Sequence, residues 1–140
     1  AQILAVILFF SIVSLSLEVK EVYSYYIQSG LITKINGFRT SKGLPPVIIN
    51  PSTCQFAALR VREVTHTFTH DGFYNRVKSS TLPYPKYRLV TENLAWAPKG
   101  QDAVSMWINS PSHAANLLKN TKYACVEKYG DYYAFEGLQT

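Results

Sequence analysis

An α+β domain carried behind a long apolar N-terminal helix is the fold this sequence predicts, and three features predict it. The first seventeen residues, AQILAVILFFSIVSLSL, contain no charge. Short segments with helical apolar spacing then alternate with turn-rich connectors. The chain closes on two alternating runs, KYACVEKY and YYAFEGLQT, separated by Gly130-Asp131; glycine at the first turn position accepts positive φ without steric cost, so these runs read as a β-hairpin. At 140 residues the chain is one domain's worth, long enough to bury a core without staples.

Residues 2 to about 29 contain neither proline nor glycine, which predicts one continuous helix whose polar second half ends near Gly30. Its apolar part rises only about 26 Å, the short edge of what spans a bilayer. Ser14 and Ser16 stand at signal-cleavage-like spacing, but there is neither Met nor a basic n-region before the apolar run. The expectation is a retained assembly helix or membrane anchor, with assembly ahead: copies of the chain would cover the apolar surface, as in a pilus-like filament.

Residues 30–140 then form the compact part. Leu31, Ile32, Ile35 and Phe38 fall at helical spacing before a Lys42-Gly43 stop. LPPVIIN reads as an extended connector. Asn50-Pro51 is a good helix entry, and Phe56, Ala57, Leu59 and Val64 supply a buried face up to about His66, where Thr65, Thr67 and Thr69 fray the helix. DGFYNRVKSSTLPYPKYRLV reads as a long loop with two prolines. QDAVSMWIN is a short helix with Val104 and Trp107 inward. Ser110 and Pro111 open another and put His113 in its first turn.

The net charge of +5 is spread over scattered basic residues such as Arg60, Arg62, Lys86 and Lys119, without the clustering a nucleic-acid partner requires. Ten tyrosines suit surfaces that are half wet and half packed.

The segments LITKINGFRTSKGLPPV, AALRVREVTHTFTHDGF, ENLAW, AVSMWINSPSHAANLL and YYAFEG resemble, in order and approximate spacing, the CAP superfamily of cysteine-rich secretory proteins, antigen 5 and pathogenesis-related 1 proteins, most closely its compact bacterial and archaeal branch. The resemblance covers about residues 25 to 140. It implies an α-β-α sandwich and a cleft holding two histidines and an acidic residue, which match His70, Glu92 and His113. The second acidic residue of many members has no counterpart; the nearby position is Ser110.

As donors, His70, Glu92 and His113 suit a zinc ion with an open position, His70 and His113 being the metal candidates, or a base oriented by a carboxylate. The bland alternative is a hydrogen-bonded brace between three segments. A local alternative is HTFTH, with His66 and His70 at i, i+4 and Glu63 one turn earlier. No catalytic residue is assigned, since G-x-S-x-G or a comparable nucleophile signature is absent. Cys54 and Cys125 form an even pair, open both to a disulfide and to two buried thiols.

The function these features point to is an extracellular structural or display protein. Residues 1–29 would assemble with other copies, or anchor in a membrane, and residues 30–140 would act in adhesion or ligand binding. The alternative is a membrane-anchored or secreted hydrolase, or a lipid- or metal-binding module. No cofactor is expected beyond zinc.

Overall fold

The computed structural model describes the backbone of residues 2–140 and the side chains of residues 13–140. Nine elements follow in chain order: α1 (Gln2–Ser41), β1 (Ile48–Ile49), α2 (Pro51–Glu63), α3 (Asp71–Ser79), β2 (Leu89–Trp96), α4 (Ala103–Ile108), α5 (Pro111–Leu117), β3 (Tyr123–Tyr129) and β4 (Tyr132–Gln139).

Helix α1 does not stop at Gly30. A mid-helix glycine costs only about 1 kcal/mol, and Ile32 and Ile35, one turn beyond it, are buried in the core. The stop comes at Gly43, whose φ of 75° closes the helix as its N–H donates to the Thr40 carbonyl and that of Leu44 to the Arg39 carbonyl. Arg39, fully buried, donates to the carbonyls of Pro45, Leu117 and Lys119. The last turn of α1 is thereby fastened to the segment that leads into β3. Among the described residues no helix is long and apolar enough to cross a membrane. The expected cover over the apolar N-terminal run concerns side chains that, from 1 to 12, lie outside the described residues.

The four strands order as β1-β3-β4-β2, with β1 parallel to β3 and the other two pairs antiparallel. The β3–β4 hairpin is the one its sequence predicts, turning through Gly130 at φ 58°. On one face, Ala95, Ala124, Val126 and Phe135 pack against the C-terminal half of α1 and against α4 and α5, with Trp107 at the centre. On the other face, Leu94, Ala134 and Leu138 meet Phe56, Val61 and Val64 of the α2 segment and Phe73 of α3. The result is the α-β-α sandwich. The Trp107 indole N–H donates to the Leu94 carbonyl at 2.9 Å and ties α4 to strand β2.

Two segments differ from the sequence reading. DGFYNRVKS is helix α3 rather than loop: Asp71 suits the positive end of its first turn, Phe73 is buried with Val77 packed nearby, and Ser80 ends it in the left-handed region. LVTENLAW is strand β2. Its interior residues Thr91 to Ala95 are all buried, so no alternation marks it as a strand.

Cys54 and Cys125 are joined in a disulfide, with Cα atoms 5.0 Å apart, tying the start of α2 to β3. This decides between the two states left open by the sequence.

Candidate functional site

Strand β2 is the sheet's outer strand, and the two helical layers meet over its edge. From one layer comes His70, immediately before α3; from the other come α5 and its His113. Between His70 and the C-terminal end of α5 lies a cleft of about 200 Å³ lined by His70, Tyr74, Thr91, Glu92, Asn116 and Lys119; His113 is not part of its lining. Asn116 donates to the Glu92 carbonyl at 3.1 Å and to Asn93 Oδ1 at 3.0 Å, and Asn93 donates to the His113 carbonyl at 2.9 Å. These bonds satisfy part of the strand edge and hold α5 against it.

Glu92 is the centre of the site. It is almost wholly buried, and its Oε1 faces His70 Nδ1 at 2.8 Å. Facing a carboxylate, Nδ1 carries the ring proton and Nε2 is left as the remaining ring nitrogen. From behind, Arg60 donates through Nε to Glu92 Oε2 at 2.6 Å and through Nη2 to Oε1 at 3.2 Å. The same guanidinium reaches the Thr69 carbonyl and Glu63, which Arg76 holds in turn. Gly72 is required beside this cluster, because a Cβ there would stand 2.1 Å from Arg60 Nη1.

Glu136 completes it. The register places Glu136 of β4 directly opposite Glu92 of β2, and both carboxyls are buried. Burial pushes the Glu92 carboxyl up, but hydrogen bonds from His70, Arg60 and Glu136 outweigh it and hold it below the usual carboxylate range. For Glu136, fully enclosed, burial and then the charge of Glu92 hold the carboxyl well above that range. Glu136 is therefore the protonated partner and Glu92 the charged one.

The sign of the resulting pH dependence follows. A raised folded-state pKa means that the folded chain binds the extra proton, so the stability Glu136 contributes is lost as pH rises through that raised value. Replacing Glu136 with Gln keeps a donor toward Glu92 and removes the titration. We expect Glu136→Gln to unfold at a higher temperature than the parent at about pH 9 and to narrow that lead at about pH 6. Thermal melts followed by circular dichroism at both values check this; a lead that does not shrink toward the lower pH contradicts the assignment.

His70 and Glu92 are brought together. His113 lies close enough that burial, and then the neighbouring His70, push its imidazole below the ordinary value. Its Nδ1 is paired with Ser110 Oγ at 2.9 Å, so Ser110, which begins α5, spends its hydroxyl on the histidine instead of capping the helix. Among the described residues the donor atoms of His70, Glu92 and His113 do not gather within 4.8 Å of one another, and both Glu92 oxygens are already bonded. The trio is thus not gathered as a three-ligand set. The HTFTH alternative also fails, because α2 ends at Glu63, His66 is exposed and Glu63 is held by two arginines. Sequence reasoning missed Arg60 and Glu136. The signal was present as a charged residue inside each of two otherwise largely apolar runs, FAALRV and YAFEG.

The family model for the cysteine-rich secretory protein family, CAP, matches residues 32–135. The chain belongs to that family. Two solved CAP structures share the fold. A cysteine-rich secretory protein from Staphylococcus aureus subsp. aureus Mu50 superposes with a TM-score of 0.67 at 24% identity, over 84% of this chain and 40% of that one. An extracellular protein containing an SCP domain, from Bacillus anthracis str. Ames, gives 0.62 at 21% identity, over 84% and 43%. The chain thus spans about two-fifths of the length of these CAP proteins. No curated protein matches it. In this CAP domain the His-Glu cleft is small and polar, with its acidic member neutralised from behind by Arg60.

Proposed function

We propose that this chain is an extracellular protein that displays its CAP head on the N-terminal helix, and that this helix associates with the same helix of other copies. Residues 1–29 are the assembling part and residues 30–140 the head. The described disulfide suits an oxidising compartment, and the two structural neighbours are described as secretory and extracellular proteins.

The observation that carries the assembly is a stripe on α1. Leu15, Val19, Val22 and Tyr26 recur at spacings of four, three and four residues, and each is 61–72% exposed. That spacing keeps one seam facing a partner helix, and apolar surface of this extent on a soluble chain marks an interaction site. The cleft supports a binding rather than a catalytic head, because Glu92 is engaged by Arg60, His70 and Glu136 and has no oxygen left over to act as a base. At about 200 Å³ it suits a small polar ligand at the adhesive surface.

Sedimentation of the purified chain in aqueous buffer tests the reading, with electron microscopy to see the form of any assembly. The parent is expected as a multimer or filament. Leu15→Lys with Val22→Lys places two charges in the seam and is expected to give monomers with an intact head. A monomeric parent, or flotation of the parent with lipid vesicles in place of self-association, overturns it.

A further inference from the structure

Away from the cleft, one more place gathers metal-ligating atoms. The sulfurs of Cys54 and Cys125 and a carboxylate oxygen of Glu127 all lie within 4.8 Å of one another, the one such trio among the described residues. Cys125 and Glu127, two apart on β3, point to the same face of the sheet, and Cys54 meets them from α2. A fourth atom comes from α1: Gln28 donates its amide N–H to Glu127 Oε1, while its own Oε1 stands 3.8 Å from the Cys54 sulfur. A half-buried carboxylate is an odd neighbour for a neutral disulfide, since its charge is desolvated and its hydrogen-bond partner is an uncharged amide.

In the oxidised chain the sulfurs are spent on each other. Reduction changes the donor set. A dithiol attacks the half-buried Cys54 sulfur and expels Cys125 as a thiolate, which takes a proton. The reductant's second thiol then displaces Cys54 and leaves as a cyclic disulfide. Two electrons and two protons have passed to the protein, and two thiols now face a carboxylate. We propose that in this reduced state Cys54, Cys125 and Glu127 hold a divalent thiophilic cation of the zinc class, with the Gln28 amide oxygen closing a tetrahedral set. The cation replaces the two thiol protons, which are released to solvent. Disulfide and cation are then mutually exclusive occupants of the junction between α2 and β3.

The scaffold supports this without rearrangement of the backbone. Thr53, Phe56 and Ala57 around Cys54, and Ala124 and Val126 around Cys125, are buried in the layers, so packing holds both segments in addition to the bond. Two sulfurs bound to zinc stand about 3.8 Å apart, from Zn–S distances of about 2.3 Å in a tetrahedron. Rotation about the two side chains on Cα atoms 5.0 Å apart accommodates that separation. Two thiolates and a carboxylate form a set that zinc takes in proteins.

The test uses the full chain, reduced with a dithiol, freed of reductant without oxygen, and titrated with cobalt(II) as a spectroscopic probe. Thiol counting confirms two free thiols and circular dichroism confirms the fold. The expected result is one equivalent of cobalt bound, with a thiolate-to-cobalt charge-transfer band and tetrahedral visible bands. Zinc should displace it and raise the melting temperature of the reduced chain but not of the oxidised one. Glu127→Gln should weaken binding at least about tenfold, while His66→Ala, at an exposed histidine outside both sites, leaves it unchanged. A folded, fully reduced chain that shows no thiolate–cobalt band overturns the proposal, as does binding that survives Cys54→Ser with Cys125→Ser. An unchanged affinity in Glu127→Gln removes Glu127 from the site.

Discussion

Replacing Arg60 with methionine is expected to lower the stability of the folded chain by about 3–5 kcal/mol at neutral pH, the range found when one partner of a buried ion pair is removed. Arg60 is 2% exposed, and its guanidinium serves Glu92, Glu63 and the Thr69 carbonyl together. Methionine fills similar volume, so the loss comes from charge and not from a cavity. Two features identify the cause. Glu92 is no longer held in its charged form, so the deficit should shrink as pH falls and the carboxyl takes a proton. Adding Glu92→Gln to Arg60→Met removes the stranded charge and should recover a large part of the loss, a coupling that a double-mutant cycle reads directly. Urea unfolding of the parent, the two single variants and the double variant checks both; a loss below about 1 kcal/mol in Arg60→Met alone contradicts the central place given to Arg60.

The second large effect belongs to the disulfide. Cys54 and Cys125 are 71 residues apart in sequence, and closing a loop of that length removes enough unfolded-state entropy to contribute about 4–5 kcal/mol in the chain-entropy model. Cys54→Ala with Cys125→Ala is expected to lower the urea midpoint by a corresponding amount. Its m-value should rise, because the unfolded chain is free to expand. Reduction of the parent in the absence of metal ions should reproduce that midpoint. If the double variant matches the oxidised parent, the native packing of α2 on β3 already does the work assigned to the bond.

Much of this architecture is legible in the sequence, and the exceptions share a physical cause. The hairpin, α2, α4 and α5 are marked locally, by Gly130, Asn50-Pro51, the Val104–Trp107 spacing and Ser110-Pro111. His70 and Glu92 are found through their motifs. What local patterns do not carry is register. Glu136 becomes part of the site only because β4 pairs with β2 so that it faces Glu92, and Arg60 only because α2 lies across that pair. Strand β2 escapes detection for a related reason, being covered on both faces and carrying buried Glu92 and Asn93 whose partners come from distant segments. Helix α3 shows tertiary packing of Phe73 overriding a segment rich in polar residues and followed by two prolines.

Arg39 gives α1 a mechanical meaning. Its guanidinium grips the carbonyls of Pro45, Leu117 and Lys119 from the last turn of the helix, just ahead of β3, an interior strand of the sheet that the disulfide also binds to α2. Tension applied along α1 would thus enter the head near its centre, spread over several bonds loaded in parallel and backed by a covalent link. An edge strand such as β1, only two residues long, would unzip one bond at a time under the same pull. In the proposed display role, a pull transmitted along α1 would therefore load the Arg39 bonds together and not one after another.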